Sequence, residues 1–80
     1  MLYSGIIKTH KMKRLEKFVE ENFERFSQLE EDEVYELDAH YIEDEIVNHL
    51  KDNGQFDYKG IAVYYVGDSD EVWVENFNID

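Results

Sequence analysis

YKGIAVYYV (Tyr58–Val66) and EVWVENF (Glu71–Phe77), separated by GDSD (Gly67–Asp70), decide how this chain folds. Both runs are rich in β-branched and aromatic residues, which suit a pleated, half-buried surface, and the Gly, Asp and Ser between them favour a tight turn. The pattern predicts a β-hairpin at the centre of a small antiparallel sheet. Side chains alternate along a strand, so Ile61, Val63 and Tyr65 share one face and Ala62, Tyr64 and Val66 the other. Both faces are fairly apolar, yet a two-layer domain covers only one of them with helices. The other is left as a patch for a partner or for a second copy of the chain.

Towards the N-terminus the spacing changes from two to three and four. Ile42, Ile46, Val47 and Leu50 fall on one helical face, with Asp38 as the expected N-cap, Glu43, Asp44 and Glu45 near the positive end of the dipole, and Asn53-Gly54 as the stop. Before it, Val34 to Leu37 alternates as a short strand does, and Glu30-Glu31-Asp32-Glu33 is a run of four acids. Further back, Met12, Leu15, Phe18, Val19, Asn22, Phe23, Phe26 and Leu29 form the stripe of a long first helix that starts near His10 with Thr9 as cap. Leu2 to Thr9 (LYSGIIKT) reads as a strand weakened at Gly5. The expected architecture is one small α+β domain over 1–80, of order β-α-(β)-α-β-β, with two helices packed on a mainly antiparallel sheet.

The 80 residues hold 20 acids against 8 Lys and Arg, a net charge of −12. Met1 to Arg14 contains Lys8, Lys11, Lys13 and Arg14 and no acid, so the remainder of the chain carries −16. With 42% apolar residues and twelve Phe, Tyr and Trp, the composition is that of a folded domain and not of an acidic tail. There is no Cys, hence no disulfide framework and no thiolate zinc site, which points to a reducing cytoplasm. No apolar run reaches the roughly 20 residues that span a bilayer. Anionic membranes and nucleic acid are poor partners for such a charge, and a basic protein surface is a good one.

Signatures of catalysis are missing. Ser4, Ser27 and Ser69 lack a nucleophile-elbow context, and no Gly-rich run cradles a phosphate. Asp68-Ser69-Asp70-Glu71 opens like a calcium loop, but its obligatory Gly and Glu positions fall on Trp73 and Ile79. His40, Glu43 and Asp44 have the i, i+3, i+4 spacing of metal ligands on a helix, a coincidence expected where a quarter of residues are acidic. Acid–base work needs a desolvated carboxyl, whereas these acids lie on predicted solvent faces. The reading is therefore a non-enzyme with no catalytic residue, no cofactor and no metal.

The acidic excess is what remains to be explained. Carboxylates three and four apart on a helix stand about 5–6 Å apart at Cβ, a spacing able to imitate a phosphate track. Glu20, Glu21, Glu24, Glu30, Glu31, Asp32, Glu33, Glu43, Asp44 and Glu45 are the expected partner-binding residues. In size, acidity, absence of cysteine and mixed α+β pattern, the chain resembles the phage- and plasmid-encoded inhibitors that mimic nucleic acid, among them antirestriction proteins, anti-CRISPR proteins and uracil-DNA glycosylase inhibitors. The resemblance lies in whole-chain composition and transfers no site residue. It implies a cytoplasmic inhibitor whose partner is a basic nucleic-acid-binding protein, a nuclease or effector complex. The alternatives are an immunity protein or antitoxin neutralising a basic toxin, and a homodimeric regulatory module joined through the hairpin.

Overall fold

The computed structural model describes residues 13–78. The strand expected over Leu2–Thr9, the Thr9 cap and Met12 lie outside the described residues. Within them, helix α1 covers 13–21 and α2 covers Phe23–Phe26, followed by strand β1 (Tyr35–Asp38), a 3-10 turn (Ala39–Tyr41), helix α3 (Asp44–Asn53) and strands β2 (Phe56–Tyr58), β3 (Ile61–Val66) and β4 (Glu71–Asn76). Among the described residues all pairings are antiparallel, in the order β1-β4-β3-β2. The hairpin β3–β4 is the middle of this sheet, and the fold is α+β.

Alternation sorts the sheet into two faces. Val63 pairs with Val74 and Phe56, Tyr65 with Val72, and Leu37 with Val72 from the far side. This inner face meets Leu15, Val19, Phe26, Ile46, Val47 and Leu50 from the helices, all buried. Each such side chain contributes about 1.5–3 kcal/mol of transfer free energy. Phe26 sits at the junction, with ring centroids 5.7 Å from Phe18 and 5.8 Å from Tyr35.

Three expectations are corrected by local chemistry. The long first helix is broken at Asn22, whose side-chain amide donates to the Phe18 carbonyl at 2.8 Å while its own N–H moves to Val19 O. A side chain that takes the i−4 carbonyl interrupts the ladder there. Asp38 does cap, but it caps the 3-10 turn through His40 N–H at 2.9 Å, and α3 starts only at Asp44, after Glu43. Asp38 is still paired to Glu71 in the sheet, so the chain must first cross to the helical layer. Finally, Tyr58–Val66 is not one strand. Lys59 and Gly60 both have positive φ, 54° and 79°, and make the two-residue turn of a further hairpin, β2–β3.

The stop signal of α3 acts as read. α3 stops at Gly54, whose φ of +84° no other residue adopts without strain and whose N–H donates to Leu50 O at 2.9 Å. Residues Glu30–Glu33 form a turn between α2 and β1, closed by Glu33 N–H to Glu30 O and by the Glu33 carboxylate accepting from Glu30 N–H.

Candidate functional site

Apart from Asp68 and Asp70 in the β3–β4 turn, the described acids fall on two surfaces, one carried by the helical layer and its turns, the other by the outer face of the sheet. The helical layer holds all ten residues read from the sequence. Four of them meet cations of the chain itself. Glu20 on α1 accepts from Tyr58 Oη at 2.7 Å and from Lys59 Nζ at 3.2 Å. Glu21 stands 4.0 Å from Lys17, and Arg14 reaches Glu43 at 2.6 Å and Glu45 at 3.1 Å, which ties α1 to the start of α3. Every member of these ion pairs is about half exposed or more, and such pairs contribute only ~0–1 kcal/mol. They can be exchanged for a partner's cations at little cost.

The remaining six, Glu24 on α2, Glu30, Glu31, Asp32 and Glu33 in the turn, and Asp44 opening α3, are exposed. Among the described residues none of the six has a Lys or Arg within 4.0 Å. The hydrogen bonds leave a mark on Glu20 and Tyr58. Donation from Tyr58, and then from Lys59, lowers the Glu20 carboxyl below its ordinary 4.5, and the same bond pushes the Tyr58 hydroxyl up to about 12.

The second surface is the sheet face expected from alternation to be left open for a partner, though none of its residues was among the expected site residues. No described helix covers the outer face of the sheet. Across its middle run Glu36, Trp73 and Tyr64, register neighbours on β1, β4 and β3. One flanking row is Asp38, Glu71 and Val66, and the other is Glu75, Ala62 and Asp57. Trp73 and Tyr64 are half-buried, 6.2 Å apart and edge-to-face. Trp73 Nε1 donates to Glu71 at 2.9 Å, and Tyr64 Oη donates to Glu75. Burial, and then that bond, push the Tyr64 hydroxyl up to about 12. The signal was present in EVWVEN: strict alternation must put Glu71, Trp73 and Glu75 on one side.

The described cations lie elsewhere. Lys51 sits over the Tyr65 ring at 4.9 Å, Arg25 over Tyr35 at 5.7 Å, and Lys59 over Tyr58 at 5.4 Å, all on the inner or helical side. His40 is in the 3-10 turn and apart from α3, and among the described residues no three His, Cys, Asp or Glu are grouped to hold a metal ion. No described helix is long and apolar enough to cross a membrane.

No protein-family model, no curated protein and no solved structure matches the chain.

Proposed function

We propose that this chain is a non-catalytic acidic inhibitor that occupies the cationic nucleic-acid channel of a DNA- or RNA-binding protein, its carboxylates replacing phosphates as acceptors for Arg and Lys. The observation that carries the reading is the exposed carboxylate surplus of the helical layer, where Glu24, Glu30, Glu31, Asp32, Glu33 and Asp44 lack a described cationic partner. A net charge of −12 on 80 residues raises the rate of encounter with a cationic cleft and makes it depend on salt. Proteins that grip phosphates do so with arrays of Lys and Arg, and a rigid array of carboxylates fills the same array. Inhibitors of this kind are cytoplasmic anti-defence proteins of phages and plasmids, of the anti-CRISPR and antirestriction type.

The test is capture from host lysate on the immobilised chain at moderate salt, with parallel elution by duplex DNA, structured RNA and high salt. The reading expects a nuclease or effector released by nucleic acid, and weaker capture by Glu24→Gln/Glu31→Gln/Asp32→Asn/Asp44→Asn. A partner that keeps its nucleic acid while bound belongs instead to the immunity-protein reading. A variant that captures as well as the parent overturns the role of the helical acids.

A further inference from the structure

We infer that the outer sheet face is a second docking surface, built for an arginine-bearing segment of a partner protein. Trp73 is its centre, with Glu36 across the strand pair and Glu71 and Glu75 two residues away on either side. Glu71 and Glu75 each use one oxygen to hold a ring, Trp73 and Tyr64 respectively, so each keeps an oxygen for a partner. Both oxygens of Glu36 are free of described hydrogen-bond partners. A guanidinium stacked on the Trp73 ring, within roughly 6 Å of its centre, has neighbouring carboxylates on the same sheet face to accept its outward N–H groups. An ammonium stacks on the ring less well, because it is a point charge without a flat face.

Charge decides the occupant. Glu36, Asp38, Asp57, Glu71 and Glu75 ring the two aromatics, and among the described residues none has a Lys or Arg within 4.0 Å. A second copy of the chain brings the same carboxylates to the face and is repelled, and nucleic acid or an anionic membrane is repelled likewise. The inference goes beyond the nucleic-acid mimicry of the helical layer and does not rest on it.

Trp73 is the chain's one tryptophan, so its emission reports on this face alone. Titration with an octa-arginine peptide at physiological salt is expected to change that emission saturably, and octa-lysine to bind roughly fivefold more weakly. Two double variants remove the same charge. Glu36→Gln/Glu75→Gln keeps the donor to carbonyl contact at Tyr64 and should lose roughly fivefold or more in octa-arginine affinity, whereas Glu24→Gln/Glu31→Gln should lose only what the shared drop in net charge takes. Emission indifferent to saturating octa-arginine overturns the inference. So does equal binding of the two peptides, an equal loss in the two variants, or an emission change with protein concentration in the absence of peptide. None of these outcomes bears on release of a captured target by nucleic acid, so the two readings fail separately.

Discussion

Tyr58 donates a hydrogen bond to Glu20 at 2.7 Å across 38 residues of sequence, and so the β2–β3 turn is pinned to α1. The Glu20 carboxyl is lowered from 4.5 by this bond first and by Lys59 second. A carboxyl lowered in the folded state binds its proton later than in the unfolded chain, so its contribution is present above pH 4.5 and is lost as pH falls through the lowered value. Tyr58→Phe is expected to move the Glu20 titration back towards its ordinary range, as read by carboxyl NMR. An unchanged titration would assign the shift to Lys59 instead.

Asn76 is the one buried polar residue among those described, 5% exposed, and it latches the exit of α2 to β4. Its Nδ2 donates to the carbonyls of Ser27 at 3.0 Å and Leu29 at 3.1 Å, and its Oδ1 accepts from Asn78 N–H. Asn76→Leu removes both donors and leaves two partly buried carbonyls to be solvated. The cost expected is about 1–3 kcal/mol, which lowers Tm by on the order of 10 °C for a domain of this size. Urea unfolding gives the value directly, and a loss well under half a kcal/mol would mean that water replaces the amide.

Gly60 has φ +79°, and a Cβ on it would fall on the Asn78 side chain, which itself donates to Lys59 O at 2.5 Å. Gly60→Ala therefore carries two costs, about 1–2 kcal/mol for the left-handed backbone and about 1 kcal/mol for the displaced hydrogen bond. The second cost disappears in an Asn78→Ala background. A double-mutant cycle should show that the two losses add to more than the double variant loses. Simple additivity would show that Asn78 swings aside freely.

The elements most legible in the sequence are those where several local signals agree. α3 has its apolar spacing, acidic first turn and Asn53-Gly54 stop, and β3–β4 has both alternation and a turn cluster. What escaped was decided by single polar groups or by backbone signs. Asn22 reads as one more position of an apolar stripe until its amide is seen on Phe18 O, and Lys59-Gly60 makes a turn because Lys59, which favours no such conformation, is held at φ 54° beside Gly60. The acidic helical layer was visible as a count of charges, but its partial neutralisation by Arg14 and Lys59 required tertiary contacts. The outer sheet face was legible in principle from EVWVEN. The alternation of β3 and β4 marks it as a patch for a partner, but which carboxylates ring Trp73 follows only once β1 and β2, which supply Glu36 and Asp57, are placed.

Self-repulsion should be visible in the stability. Glu24 and Glu31 are exposed and have no described cationic partner, so Glu24→Gln/Glu31→Gln removes repulsion and no ion pair. The parent is expected to gain Tm as salt is added, since the screening length falls from about 30 Å at 0.01 M to about 3 Å at 1 M. The variant should melt higher than the parent at low salt and converge with it at high salt. Parallel curves would mean that its advantage is not electrostatic.

Tyr64 allows burial and hydrogen bonding to be separated on the outer face. Its hydroxyl is pushed from 10 up to about 12, by burial first and by the bond to Glu75 second. Because the folded value is the higher one, the folded chain holds a proton that the unfolded chain has released, and the stability this supplies is present below pH 10 and lost as pH rises from 10 to about 12. Glu75→Gln leaves an oxygen to accept from Tyr64 and removes the charge, so the titration should move down but stay above 10, with burial still acting. The absorbance of tyrosinate near 295 nm reads it, with Tyr64→Phe identifying the missing step. A return to 10 in Glu75→Gln would show that the carboxylate alone holds the proton, and that the ring is wetter than its place between Ala62 and Val66 implies.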